Sequence, residues 1–379
     1  MTLTSGSCDA RFEVVRGAFE RNFAELGEVG AALSVRVGGR EVVDLWGGSA
    51  DPKKSRVWER DTLVQIFSST KGATSTLMHH LAQRGRLSID KPIANVWPEF
   101  AAAGKGDITP RMVLTHQAGL SAIDEQLPVE AAYDAARMSE ALAAQRPHWE
   151  PGSAHGYSPF TFGWILGECV RRTAGVSLGR VFAEELAGPL ELAFFIGLPE
   201  SYEPRVAKIV PAPPPKEITP MLAAMMDPTS LTARSFLNPM TFFAPGQTNS
   251  RAMRAAEIPA ANGVADARSV ARLYGELLNP AGRLGAERLA EIEAVASDGD
   301  DRVLLHHTRF SAGFMKPMHG FRMGGGARAF GHCGAGGSFG MADPDADLAI
   351  GYVMNQMGTG TLLNDRGQGL IDAVYDALG

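Results

Sequence analysis

The fold of this chain is decided by the stretch Ala31-Ala-Leu-Ser-Val-Arg-Val37, Gly38-Gly39 and Arg40-Glu-Val-Val-Asp-Leu-Trp46. Two short runs with β character flank a Gly-Gly pair, so the stretch predicts a β-hairpin. Before it, residues 12–26 space their apolar side chains as an amphipathic helix does. Three further runs with strand character and a final helical run come near the other end of the chain, at residues 329–334, 336–342, 348–354 and 362–378.

Strands at both ends with helices between them predict an α/β fold of the α+β type. We expect one antiparallel sheet, flanked by helices and built from both chain ends, with a mainly α-helical domain inserted. The predicted boundaries are residues 1–72 and 261–379 for the α/β domain and 73–260 for the helical domain. Within the latter, residues 199–259 carry eleven of the 23 prolines together with several Met and Phe residues. This stretch is too proline-rich for regular structure and too apolar for a disordered linker, so it indicates a lid, a pocket wall or a long packing excursion.

Composition excludes several functional classes. The 379 residues are 45% hydrophobic and 21% charged with a net charge of -6, which is typical of a globular enzyme and disfavours a nucleic-acid partner. No signal peptide and no run of 18 apolar residues is visible, so we expect no membrane span and a cytoplasmic location. The three widely spaced cysteines fit reduced thiols. The adjacent pairs His79-His80 and His306-His307 cannot share a helix face, and we expect no metal and no cofactor.

Phe67-Ser68-Ser69-Thr70-Lys71 contains an S-x-x-K pair directly before a helical run. At this spacing a helix places Ser68 and Lys71 on the same face, one turn apart. A neighbouring amine that accepts the hydroxyl proton turns serine into a nucleophile, and a helix N-terminus favours the alkoxide. The alternative for Ser68 is an ordinary helix N-cap. A second pair, Ser88 and Lys91, precedes Pro92 and is predicted to lie in a loop.

Gly336-Gly337-Ser338-Phe339-Gly340 matches the G-x-S-x-G nucleophile elbow. That motif requires a helix after the serine, whereas the residues after Ser338 predict further strand and a turn. We therefore interpret these glycines as sites of close backbone approach. Ser338→Ala is expected to retain most activity.

These motifs together resemble the serine β-lactamase-like hydrolases, and the family VIII carboxylesterases more than true β-lactamases. The similar segments, in family order, are Phe67–Lys71, Ile108–Leu120, Trp149–Gly152 with Gly156–Pro159, Phe162–Glu168, Asn262–Tyr274 and Gly331–Gly334. The resemblance implies that Ser68 attacks the acyl carbon and that Lys71 and Tyr157 share its proton, one of them as general base. It also implies an oxyanion hole formed by the N–H groups of Ser68 and Ala335, the latter on the strand after the His-Cys-Gly motif.

Two departures from the family pattern bear on the substrate. Pro159 stands where β-lactamases carry an asparagine, and His332-Cys333-Gly334 stands where they carry Lys-Thr-Gly, so His332, Gly334 and Pro159 are the expected substrate-binding positions. A histidine is mostly neutral at pH 7, which favours uncharged esters over penicillins. The sequence thus predicts a serine hydrolase that cleaves short-chain carboxylic esters through an acyl-serine intermediate. The alternatives are β-lactamase, peptidase or amidase activity, acyl transfer at the same site, and a non-catalytic ligand-binding protein.

Overall fold

The computed structural model describes residues 4–53, 55–215, 217–279, 281–360 and 362–379. Its strands are β1 (Thr4–Cys8), β2 (Gly30–Val37), β3 (Arg40–Gly48), β4 (Val64–Gln65), β5 (Phe194–Phe195), β6 (Val264–Ala265), β7 (Ser297–Asp300), β8 (His307–Phe310), β9 (Phe330–Cys333), β10 (Phe339–Asp343) and β11 (Leu348–Met354). The main sheet has six strands in the order β1-β3-β2-β11-β10-β9, and each neighbouring pair is antiparallel. The predicted sheet from both chain ends is confirmed.

The helices begin and end close to the predicted positions at both ends of the chain. They are α1 (Glu13–Ala24), α2 (Thr70–Gln83), α3 (Pro110–Leu114), α4 (Ala135–Ala144), α5 (Thr161–Ala174), α6 (Leu178–Phe182), α7 (Pro220–Met226), α8 (Leu231–Leu237), α9 (Arg251–Ala255), α10 (Ala267–Glu276), α11 (Ala286–Glu293) and α12 (Asp365–Leu378). In the described part of the chain, no helix has the length and apolar character that crossing a membrane requires.

The two faces of the main sheet pack against different helices. Alternate residues of a strand point to opposite faces, and Leu33 and Val35 lie in the core formed with α1 and α12. Ala32, between them, belongs to the other core, which contains α2, α5 and α10. The second core therefore joins the sheet to the helices that carry the candidate nucleophile.

A glycine pair brings α10 close to the sheet. Gly340 and Gly351 face each other across β10 and β11. A Cβ on Gly351 would overlap the carbonyl oxygen of Ala267, and one on Gly340 would overlap the ring of Tyr274. This supports the interpretation that glycines of the Gly336–Gly340 motif permit close approach.

The prediction of irregular structure for residues 199–259 was wrong in part. The stretch contains α7, α8, α9 and a 3₁₀ helix at Glu200–Arg205. Proline is compatible with the first turn of a helix, where its missing N–H has no intrahelical partner, and Pro220 begins α7 there after the N-cap Thr219. The hydroxyls of Ser230 and Ser250 accept from backbone N–H groups in the first turns of α8 and α9, as the Thr219 hydroxyl does in α7.

Two small sheets were not predicted. Strands β4, β6 and β5 form one, and β7 and β8 form the other. Strand β5 falls within the segment predicted to be helical, so the inserted region is mainly but not wholly α-helical. The domain boundaries themselves remain a prediction.

Candidate active site

Ser68 lies in a one-turn 3₁₀ helix, Phe67–Ser69, from which α2 continues at Thr70. Phe67 has a φ of 48°, a left-handed conformation that costs a non-glycine residue about 1–2 kcal/mol. The Thr70 hydroxyl donates to the Phe67 carbonyl and accepts from the N–H of Gly263, which stabilises the turn. The N-cap position of α2 belongs to Ser69, so the N-cap alternative for Ser68 was wrong.

Lys71 is fully buried, and its amine lies beside the Ser68 hydroxyl. Nζ is 3.4 Å from Ser68 Oγ, 2.8 Å from the Pro159 carbonyl oxygen and 3.0 Å from the Ala260 carbonyl oxygen. Burial lowers the pKa of Lys71 well below its usual range, and among the described residues no carboxylate pairs with it. A neutral amine has two N–H groups, which the two carbonyls accept, and one lone pair, which is then left for Ser68.

Tyr157 is brought to the same pair by the loop before α5. Lys71 Nζ lies 4.8 Å from the centre of its ring. Burial raises the pKa of Tyr157 above its usual range, and a hydrogen bond with Ser68 offsets only part of that rise. The phenol is therefore protonated at neutral pH, which suits a proton donor and not a base.

His332 lies on β9 with its ring 6.1 Å from that of Tyr157. Burial, with a smaller contribution from the nearby Lys71, lowers its pKa to about 3, so the ring is neutral at pH 7. Nδ1 donates to the Cys333 carbonyl oxygen at 2.8 Å, and Nε2 keeps its lone pair. Within the described residues, Nε2 has no protein partner and is free to accept a hydrogen bond.

The predicted oxyanion donors lie on two turns that contact each other. Ala335 is in the turn between β9 and β10, which corrects its predicted place on a strand. A Cβ on Gly334 would overlap the Ile66 carbonyl oxygen, so glycine allows this turn to reach the nucleophile turn. In the parts of the chain described here, neither the Ser68 nor the Ala335 N–H donates to a protein acceptor.

The Gly336–Gly340 motif and the second S-x-x-K pair, Ser88 and Lys91, have the structures that the sequence predicts. Strand β10 follows Ser338 directly, so Ser338 does not have the strand–turn–helix geometry of a nucleophile elbow. The buried Ser338 hydroxyl donates to the Ile66 carbonyl oxygen at 2.9 Å. Ser88 Oγ accepts from the N–H groups of Asp90 and Lys91, as a turn residue does. His79 and His80 are buried packing residues that contact Ala312 and Glu185.

The proline-rich stretch reaches the site through two aromatic rings. Phe236 on α8 lies 6.5 Å from the ring of Tyr157. Phe242 lies 6.1 Å from Phe67 and stacks on Phe160 at 5.0 Å. These contacts support the wall interpretation of residues 199–259.

Three residues around Tyr157 were not predicted from the sequence. His116 and Asp301 accept from the backbone of the tyrosine loop, and Phe310 stacks on its ring at 6.2 Å. His116 stood within a family-like segment, and its polar ring among apolar neighbours was a usable signal. Asp301 ends the run Asp298-Gly-Asp-Asp301, which resembles any surface turn, so no local signal identified it.

Comparison with known proteins shows the family of this chain. The family description "Beta-lactamase" matches residues 19–374. The chain belongs to this β-lactamase family, as the motifs predicted.

Several relatives match over nearly the whole chain. It is 35% identical over 374 residues, 95% of this chain and 85% of the relative, to the "Esterase/beta-lactamase LipL" of Mycobacterium tuberculosis. The crystal structure of a family VIII carboxylesterase is 38% identical with a TM-score of 0.89, over 99% of this chain and 100% of that one. A penicillin-binding protein homologue from Caulobacter crescentus is 36% identical with a TM-score of 0.88, over the same shares of the two chains.

Proposed function

We propose that this protein is a serine carboxylesterase that hydrolyses uncharged short-chain esters through an acyl-Ser68 intermediate. The observation that carries the proposal is the buried amine of Lys71. Its Nζ atom contacts two main-chain carbonyl oxygens and lies 3.4 Å from Ser68 Oγ. Burial lowers the pKa of this amine, which favours the neutral form that a general base needs, and the third position of the nitrogen faces the nucleophile.

In the acylation step, Ser68 Oγ bonds to the carbonyl carbon of the ester and its proton passes to Lys71 Nζ. The negative charge on the former carbonyl oxygen is stabilised by the N–H groups of Ser68 and Ala335, and one such donor is worth about 3–4 kcal/mol to the transition state. When the tetrahedral intermediate collapses, the C–O bond to the alcohol breaks. The Tyr157 hydroxyl, protonated and close to Ser68, gives its proton to the departing oxygen and regains one from Lys71.

Deacylation again uses Lys71 as the base. A water molecule adds to the acyl carbon while Lys71 accepts its proton, and the bond to Ser68 Oγ breaks as the proton returns to that oxygen. The free acid leaves, and Lys71 is again neutral. No external oxidant, reductant or metal enters this scheme.

The polar groups around the nucleophile support an uncharged ester as substrate. His332 is neutral and offers a lone pair where a lysine would offer a cation, and Pro159 has no side-chain amide. A carboxylate, as in β-lactams, finds no cationic partner at these positions, and its desolvation is therefore not compensated. The name of the LipL relative includes both activities, so slow β-lactam turnover is the second candidate function.

The proposal extends to where the enzyme works. Cys8, Cys169 and Cys333 are free thiols, and two of them are buried. Free thiols support a reducing compartment, and we include a cytoplasmic location in the proposal.

The test is hydrolysis of p-nitrophenyl butyrate by the wild type, Ser68→Ala and the matched control Ser338→Ala. Ser68→Ala is expected to lose about a thousandfold or more in kcat, because the nucleophile is removed. Ser338→Ala deletes two buried hydrogen bonds near the same turn, with the Ile66 carbonyl oxygen and the Ser69 hydroxyl, and we expect it to keep kcat within about threefold. Circular dichroism checks that both variants fold. Turnover that survives in Ser68→Ala and vanishes in Ser338→Ala would overturn the assignment.

A further inference from the structure

Three successive N–H groups hold the loop that carries Tyr157. Gly156 donates to the His116 carbonyl oxygen at 3.0 Å, and Ser158 donates to His116 Nδ1 at 3.2 Å. Between them, the N–H of Tyr157 itself donates to the Asp301 carboxylate, at 3.1 Å from Oδ1 and 3.0 Å from Oδ2. The backbone at the catalytic candidate therefore depends on one histidine and one carboxylate from distant parts of the chain.

The Asp301 carboxylate is buried without a cation. Its residue is 2% exposed, and no Lys or Arg side chain within the described residues forms an ion pair with it. Four donors replace the cation: the N–H groups of Tyr157, Val303 and Leu304, and the Thr308 hydroxyl at 3.1 Å. Burying a carboxylate costs free energy unless hydrogen bonds satisfy it, so these donors and the acid depend on one another.

The same β7–β8 hairpin also holds the tyrosine ring. Phe310, on β8, stacks on Tyr157 at 6.2 Å with an interplanar angle of 14°. Asp301 follows β7 directly, and the Arg302 N–H donates to the His155 carbonyl oxygen at 3.2 Å. One hairpin therefore fixes both the backbone and the ring of Tyr157.

We infer that Asp301 is a positioning residue for Tyr157, which sets the hydroxyl against Ser68 and acts on the reaction only through that tyrosine. The inference rests on the proposed function, in which Tyr157 donates a proton to the leaving alcohol. Displacement of a catalytic group by about 1 Å can cost about a hundredfold in rate. The N–H of Tyr157 itself is held by a single carboxylate, so one substitution can produce such a displacement.

The test is a double-mutant cycle on p-nitrophenyl butyrate with Asp301→Asn, Tyr157→Phe and the combined variant. Asparagine has the shape of aspartate, but its NH₂ group faces donors, so at least one of the four loses its acceptor. We expect Asp301→Asn to lower kcat about tenfold to a hundredfold and to change KM by less than about threefold. In the Tyr157→Phe background, the same substitution is expected to cost less than about twofold, because no hydroxyl remains to be positioned.

Asp343→Asn is the matched control for lost stability. Asp343 is equally buried and accepts from Gly325, Gly326, Asp345 and the Tyr375 hydroxyl, at the end of β10 away from Ser338. We expect it to lower Tm as Asp301→Asn does and to leave kcat unchanged. If Asp301→Asn does not fold, Thr308→Val removes one of the four donors and should give a smaller loss with the same dependence on Tyr157.

The outcomes separate the two proposals. Full activity in Tyr157→Phe would contradict the role of the tyrosine and the inference with it. A large loss in Tyr157→Phe with an independent, multiplicative loss from Asp301→Asn would overturn the inference alone. A fall in Tm without a fall in kcat for Asp301→Asn would also overturn it.

Discussion

Lys71 and Lys105 are both fully buried lysines, but their surroundings give them different chemistry. Lys105 Nζ donates to three main-chain carbonyls, of Ala102, Ala143 and Gln145, at 2.8, 2.9 and 2.6 Å. Three acceptors match the three N–H groups of an ammonium, and burial lowers the pKa of Lys105 only to about 8. Lys71 has two carbonyls and a hydroxyl, and its pKa falls further. Burial causes both shifts. The acceptors differ: three carbonyls suit an ammonium, whereas two carbonyls and a hydroxyl leave one position of the Lys71 amine facing Ser68.

Replacing each lysine by methionine is the strongest way to break this comparison. Lys71→Met removes the base, and we expect kcat on p-nitrophenyl butyrate to fall about a thousandfold. Lys105→Met leaves three carbonyls without a donor, so it should lower the free energy of unfolding by about 1–3 kcal/mol and leave kcat unchanged. Kinetics and thermal unfolding of both variants check this. Equal losses of kcat in the two variants would remove the distinction.

The pH dependence of kcat/KM tests which form of Lys71 is active. The base must be neutral, so activity is present above the pKa of Lys71 in the folded enzyme. It falls about tenfold per pH unit below that pKa. Because the pKa of Tyr157 is raised and the phenol works protonated, no fall from tyrosine ionisation is expected in the neutral range.

Lys105→Met is the control. It should not change the pH at which kcat/KM begins to fall on the acidic side. A profile that rises only near pH 10 would assign the base to an ordinary amine or a phenolate. That result would contradict the role given to burial.

His332→Lys places a second amine near Lys71, and we expect it to change substrate preference by less than the loss of kcat in Lys71→Met. The added cation can pair with a substrate carboxylate, so the ratio of nitrocefin to ester turnover should rise about tenfold. His332→Gln, which is neutral, is the control and should leave the ratio unchanged. An equal rise in both variants would show that space, and not charge, excludes β-lactams.

Removing the Phe242 ring, which lies beside the turn that carries Ser68, should have the smallest effect on catalysis. Phe242→Ala removes the ring that stacks on Phe160 and contacts Phe67, and such pairs are worth about 1 kcal/mol. We expect KM for p-nitrophenyl butyrate to rise about fivefold, with kcat nearly constant. Phe195→Ala is the control, because that ring packs on Tyr202 in a separate core. An unchanged substrate profile in Phe242→Ala would remove the wall assignment.

Spacing alone predicts the part of the site that is close together in the chain, and the family resemblance adds the distant residues Tyr157, His332 and Ala335. Ser68 and Lys71 are three residues apart, and strand periodicity marked the main sheet. The acceptors that decide the state of Lys71 are main-chain carbonyls of Pro159 and Ala260, and every residue has a carbonyl. Asp301 and Phe310 reach Tyr157 only through the fold. For residues 199–259, counting prolines failed because their position in a helix matters more than their number.

The pairing of β2 with β11 at the centre of the sheet has a consequence during synthesis. Leu33 and Tyr352 are register partners although about 300 residues separate them, so closing the sheet carries the entropy cost of a very long loop. A nascent chain on the ribosome contains Ser68 and Lys71 long before Ala335 is added. Until Ala335 is in place, the proposed nucleophile lacks one of its proposed oxyanion donors, and the incomplete chain is expected to hydrolyse esters much more slowly by this mechanism.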